Sequence, residues 1–424
     1  MYNLNCIKKT LDNGMNVILI QKKGFVKSLF MCATGAGGMD LVQELDGKRV
    51  YHTSGCAHYL EHQMFRYKNQ DVTELFASLQ AQTNAFTTFT ETCYYFQTTS
   101  DIYKPLQLLL EFVETLDINE QSVNKEKGII LSEYDMYQQS PEQRLTKETY
   151  KSMYHKHPIR VDILGHRSDI ENMSVEDLTQ FYNINYDPSS LTLVGITGKD
   201  IHQCMSFIEN HQKNFPSKLK SHPKTVFEKE QETVVREEYI DYMDISFPYV
   251  CVGYKLKESQ SVEDANIKDL AIQMRLDSLF STMNPDYQKW MDERIISQFA
   301  GAECDMCLDR GYILFYAQTQ KVNEFIELVN QLIYKLVHEK MKEEDFIALQ
   351  SSYTGANLRG LDHFESLAVD VIKSSMLHYD YWEWFNEVLN ITQEKIMDVC
   401  SELDVSHKTI TKIYPKEYKT VNHE

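Results

Sequence analysis

Apolar residues recur at every second position at Met15, Val17 and Leu19, and the spacing returns at Phe30 and Cys32, with Thr34 following. Residues 10–35 therefore predict two strands, and Asn13-Gly14 supplies a turn just ahead of the first. Residues 35–51 hold glycine and charge without a period and predict a loop. Helical spacing follows at 58–66 and 73–80, and the run 84–99, rich in Thr, Phe and Tyr, predicts two more strands. Leu106, Leu109, Leu110 and Val113 fall on one stripe of a helix over 102–116, and a second helix covers 120–139. The stretch 212–224 is rich in lysine, carries two prolines and has no apolar period, so it is expected to link two domains.

Beyond that linker the order of elements repeats. Residues 245–256 predict a strand, 311–320 (GYILFYAQTQ) mirrors 92–99 (TCYYFQTT), and helices follow at 322–338 and 343–358. The residues differ between the halves, so the repeat lies in the pattern. The expected fold class is α+β, with two structurally related domains of sheet plus helices at 1–211 and 225–424.

Composition narrows the class further. With 42% hydrophobic and 25% charged residues the chain has the make-up of a soluble globular protein, and no apolar run reaches the ~18–20 residues that span a bilayer. The N-terminus has no apolar stretch after a basic start, so no signal peptide is expected. Nine scattered cysteines cannot all pair within the chain, which fits a cytoplasmic location. A formal charge of −19 argues against a nucleic-acid partner.

The candidate chemistry begins at His58-Tyr59-Leu60-Glu61-His62. On a helix, positions i and i+4 lie one turn apart on one face, so His58 and His62 can aim two imidazoles at one cation. A catalytic zinc takes three protein ligands and keeps one corner for water, and Glu61 is placed to take the proton of that water. HxxEH is the inverted order of a zinc-peptidase motif. Downstream, Glu126 and Glu133 stand seven residues apart on the helix 120–139, so both carboxylates face one way. One can serve as a third ligand and the other can orient a ligating histidine.

The stretch Ser54-Gly-Cys-Ala-His-Tyr-Leu-Glu-His-Gln-Met-Phe65, with the Glu126/Glu133 pair about seventy residues on, resembles the zinc helix and third-ligand helix of the pitrilysin/insulysin (M16) peptidases. Asn84-Ala85-Phe86-Thr87 is similar to the family's edge strand, Leu11-Asp-Asn-Gly14 to its opening strand, and His157-Pro158 through Gly165 to the late part of its first domain. The resemblance covers residues 10–200 and, in length and layout, the bacterial processing-peptidase-like branch. It implies zinc held by His58, His62 and Glu133, with Glu126 supporting, Glu61 as general base, and Asn84 and Ala85 pairing with the backbone of a peptide substrate. It also implies two domains enclosing a cavity, a second domain without a metal site, and a homodimer or a heterodimer with a homologous chain. The family often has an Arg and a Tyr in its second domain that polarise the scissile carbonyl; Arg310 and Tyr312 are one candidate pair, left unassigned.

Other readings compete. A non-catalytic peptide-binding or assembly subunit of a two-chain complex would carry a broken motif, and a structural metal domain would need a fourth protein ligand. Cys304-Asp-Met-Cys307 is a lone CxxC with no second pair beside it. His52 is expected in a loop, His363 and His378 have no ligand spacing, and Trp290, Trp382 and Trp384 are expected to pack in the second domain.

Overall fold

The strands Ser28–Thr34 and Leu191–Thr197 are buried at every position, which requires cover on both faces of their sheet. The computed structural model describes residues 5–418 and provides that cover. The first sheet has six strands in the order Asn5–Thr10, Asn16–Gln21, Leu191–Thr197, Ser28–Thr34, Thr92–Thr98 and Ala81–Thr87. Only Leu191–Thr197 and Asn16–Gln21 run parallel; every other pair is antiparallel. Gly195 sits where a Cβ would lie 2.5 Å from the Phe30 ring, so the large neighbours close over a position with no side chain.

The alternation of side chains shows which helices cover which face. On Thr92–Thr98, Tyr94 and Phe96 point to one side, where Phe112 meets Tyr94 edge-on and Phe76 stacks on Phe96. Those partners belong to the helices Val72–Ser78 and Tyr103–Val113. Tyr95 points the other way, and its hydroxyl donates to Glu365 at 2.7 Å. Glu365 lies on the helix Phe364–Met376, which lays Phe364, Leu367, Ala368, Val371 and Ile372 on the opposite face.

A second sheet repeats this plan with five strands, in the order Glu238–Met243, Lys408–Pro415, Tyr249–Leu256, Gly311–Gln318 and Ala300–Met306. Its first pair is parallel and the rest are antiparallel, so the strand order and the one parallel pair match five strands of the first sheet. The helix Pro141–Met153 packs on its strands. The expected repeat is therefore present, and 311–320 does mirror 92–99.

The compact units cross the chain order. The first takes the described residues up to 134, then 161–227 and 358–384; the second takes 135–160, 228–357 and the described residues from 385. Each sheet is thus covered on one face by a helix from the other half of the chain. Trp382 and Trp384, expected in the second domain, fall in the first unit. One local reading is corrected. Residues 35–51 are not all loop: Val42–Leu45 and Lys48–Tyr51 form a hairpin through Asp46-Gly47, both at positive φ, and Lys224–Thr225 adds a third strand. The Asp-Gly turn signal was present, but the short strands carry too few apolar positions to show a period.

In the second unit Glu230 accepts hydrogen bonds from the backbone N–H groups of His155, Lys156 and His157 and from Lys255 Nζ. Burial alone would raise its pKa, but these donors hold it down at about 2. A depressed carboxylate stabilises the fold above its unfolded pKa and loses that contribution as pH falls toward the folded value. Glu230→Gln is therefore expected to cost about 2–3 kcal/mol at neutral pH. The gap from the parent should close as pH drops from about 4.5 to about 2. Urea melts across that range check it; a gap independent of pH would show that the carboxylate charge is not the source.

Candidate metal centre

The helix Cys56–Met64 starts at Gly55, whose φ is 84°. A Cβ there would stand 2.2 Å from the Leu164 carbonyl oxygen, and one on Gly165 would stand 2.4 Å from Ser54 O. Two glycines thus let two backbones meet and set where the helix begins. Gly55→Ala is expected to lower stability by about 3 kcal/mol through the left-handed φ and the clash. An unfolding midpoint equal to the parent's would mean that the 164–165 loop yields freely.

The stripe of this helix next to the histidines is tied to the helix Glu120–Gln139. The Tyr59 hydroxyl donates to Val123 O at 2.6 Å, and Gln63 Nε2 donates to Ser122 O at 3.3 Å. These two bonds hold the helices in register, so that His58, Glu61 and His62 come opposite Glu126 and Glu133. His58 and His62 each present Nε2 to Glu133 Oε2, at 3.7 and 3.5 Å. His62 Nδ1, its other nitrogen, faces Glu126 Oε2 at 3.6 Å. One donor atom each from His58, His62 and Glu133 lies within 4.8 Å of the others, the one such group of three among the described residues.

These separations are long for a charge-assisted hydrogen bond and suit a shared cation. Two ligands bonded at about 2.0–2.1 Å to one tetrahedral ion stand roughly 3.3 Å apart. Burial pushes the His58 imidazole down to about 4, with His62 adding to the effect. Burial also opposes charge on His62, but its contacts with Glu126 and Glu133 outweigh that and hold it up at about 9. The carboxylates converge on a spot that favours positive charge. His58 Nδ1 is buried with no hydrogen-bond partner among the described residues, which leaves that imidazole held by packing on this side.

Glu61 lies beside this group, and burial raises its pKa. Its Oε2 accepts from Thr87 Oγ1 at 2.7 Å. Thr87 ends the edge strand Ala81–Thr87, whose Asn84 and Ala85 pair with Tyr95 and Tyr94. Among the described residues no strand covers the outer side of Ala81–Thr87, and Asn84 Oδ1 accepts from the Ala85 N–H at 3.0 Å. Thr87 was not singled out in the sequence, although Ala85 and Thr87 share a face by the period of two. Arg310 and Tyr312 lie in the second unit, where Arg310 pairs with Asp305 and Asp309, and the Tyr312 and Tyr150 hydroxyls are 2.9 Å apart. Cys304 Sγ lies 3.3 Å from Asp269 O, Cys307 Sγ lies 3.2 Å from Asp305 Oδ1, and burial raises both thiols far above their usual range.

Two family descriptions match the chain. Insulinase (peptidase family M16) covers residues 51–167, which hold the whole His58/His62/Glu133 group. The peptidase M16 inactive domain covers residues 172–353. The chain belongs to peptidase family M16. Both M16 domains are α+β, in line with the architecture above. The M16 chain is 28% identical to YmfH of Bacillus subtilis (strain 168), named an uncharacterized zinc protease, over 96% of both chains. It is 25% identical to the mitochondrial-processing peptidase subunit beta of Neurospora crassa over 39% of this chain and 36% of that one. A crystal structure described as an M16-like peptidase from Alicyclobacillus acidocaldarius superposes with a TM-score of 0.91 at 26% identity, covering 98% of this chain and 99% of that one. The class this supports is M16 zinc protease-like. No helix among the described residues is long and apolar enough to cross a membrane.

Proposed function

We propose that this M16 chain is a zinc-dependent endopeptidase that cleaves peptides or unfolded segments of polypeptide. The observation that carries the reading is the convergence of His58 Nε2, His62 Nε2 and Glu133 Oε2, with Glu61 beside them on the same helix. Two imidazoles and a carboxylate are a donor set that zinc takes, and the two histidine–Glu133 separations, 3.7 and 3.5 Å, lie near its tetrahedral edge. His58, His62 and Glu133 would hold the ion, and Glu126 would orient His62 through Nδ1. Zinc, when bound, supplies a Lewis acid that polarises the peptide carbonyl and makes water a nucleophile at neutral pH.

The chain's own groups do the rest. Asn84 and Ala85 on the open edge pair with the substrate backbone, a recognition that tolerates many sequences. Glu61, steadied by Thr87, takes the proton of the attacking water and returns one to the leaving amine. In this reading residues 1–211 form the catalytic repeat, 212–224 the linker and 225–424 a related repeat without a metal site. We further assign a cytoplasmic location and a homodimer or a heterodimer with a homologous chain; the Neurospora relative is by its name one subunit of a processing peptidase.

Elemental analysis of the purified protein, paired with a peptide-library digest with and without chelator, tests the reading. About one zinc per chain and cleavage that the chelator abolishes are expected. Zinc-loaded protein that cuts nothing in the library would favour a non-catalytic peptide-binding subunit instead.

A further inference from the structure

The edge strand that meets Glu61 on one face opens on its other face into a cavity of about 580 Å³. Residues paired across an antiparallel ladder share a face. Thr87 pairs with Thr92 and Ala85 with Tyr94, on the side of the metal residues; Phe86 pairs with Cys93, on the side of the helix Phe364–Met376. Phe86, Thr88 and Glu91 form one wall of the cavity, and Lys27 also lines it. The facing wall is the helix stripe Ser366, Val369, Asp370 and Lys373, spaced i, i+3, i+4 and i+7, next to the stripe that packs on the sheet.

Acidic groups outnumber basic ones in the lining. Four carboxylates, Glu91, Asp362, Glu365 and Asp370, face it against two lysines, Lys27 and Lys373, and His363. Asp362 is committed to Lys22 at 2.7 Å and Glu365 to the Tyr95 hydroxyl. Glu91 is the unusual group. It is 2% exposed; Thr90 Oγ1 donates to its Oε2, while Oε1 accepts no hydrogen bond and is ion-paired at 3.4 Å with Lys373 Nζ, on a side chain that is 47% exposed. A buried carboxylate oxygen met only by a long contact to a half-exposed ammonium is poorly satisfied, and a ligand that donates to it relieves that cost.

We propose that this cavity is a side-chain subsite for a lysine or arginine of a peptide paired to Ala81–Thr87. The proposal rests on the peptidase reading above and adds a substrate class to it. Side chains of an added strand alternate between faces. When one substrate residue faces Glu61 and the metal residues, its neighbour in the chain faces Phe86, Glu91 and Asp370. The Phe86 ring suits the apolar stem of a long basic side chain, and Glu91 and Asp370 meet its charged end. Lys373 is displaced outward to solvent as the ligand's cation takes its place beside Glu91.

The test is binding, measured on the full-length chain carrying Glu61→Gln so that bound peptide stays intact. Acetylated peptides that differ only in arginine, norleucine or glutamate at one position, moved stepwise along the sequence, are compared by fluorescence anisotropy. At one position arginine is expected to bind roughly tenfold tighter than norleucine. Glu91→Gln and Asp370→Asn should each shrink that ratio severalfold, and Lys373→Met should enlarge it. Asp370 lies on an exposed helix face, so its variant reports even if Glu91→Gln misfolds. A ratio near one at every position, a ratio unmoved by Asp370→Asn, or tighter binding of glutamate overturns the subsite. Cleavage by the parent chain is scored separately. Arginine selectivity in a chain that cuts no peptide leaves the subsite standing and removes the peptidase reading; cleavage without selectivity does the reverse.

Discussion

Glu61→Gln is expected to lower peptide cleavage by roughly 10²–10⁴-fold, the usual contribution of a positioned general base, while zinc content stays at the parent level. The substitution is close to isosteric, and glutamine can still accept the Thr87 hydroxyl through its carbonyl oxygen, so the contact that steadies the side chain survives. What it loses is the ability to take a proton. Glu61 is not among the three groups that converge on the cation position, so metal content should not follow activity down. Single-turnover cleavage of a fluorogenic peptide, with zinc measured on the same preparation, separates the two. Parent-like rates at full occupancy would remove Glu61 from the chemistry.

The second large effect is expected at Glu133. Its Oε2 faces the Nε2 atoms of both histidines, whereas Glu126 faces only the rear nitrogen of His62. Glu133→Ala should remove a ligand, and Glu126→Gln should remove only an orienting partner. Loss of such a partner typically costs about 10–100-fold in metal affinity, and loss of the ligand should cost well beyond that. Competition with a chromophoric chelator gives both numbers. If Glu126→Gln proved the more damaging of the two, the roles assigned to the glutamates would have to be exchanged.

The sequence exposed some of this directly and hid the rest for physical reasons. A long amphipathic helix writes its own bounds: 322–338 lies where the apolar stripe places it. The pairing of His58 with His62 and of Glu126 with Glu133 follows from helix geometry within one element each. Their meeting does not. It depends on Tyr59 and Gln63 bonding to the first turn of the other helix, contacts between residues some sixty positions apart. Thr87 was hidden for the same reason, since its partner Glu61 comes from a different element. Nothing in the sequence sets Glu91 apart from the other acids, and only the fold buries it. Nor could periodicity tell which sheet the helix Pro141–Met153 covers, because an apolar stripe says that a face is buried and not against what.

The exchange of covering helices matters during synthesis. The strands Ser28–Thr34 and Leu191–Thr197 leave the ribosome long before the helix Phe364–Met376 that shields one of their faces. For about 170 residues of translation a nascent chain carries that apolar face uncovered, a surface on which unfinished proteins aggregate and chaperones bind. A fragment ending after the first repeat would keep the exposed face for good.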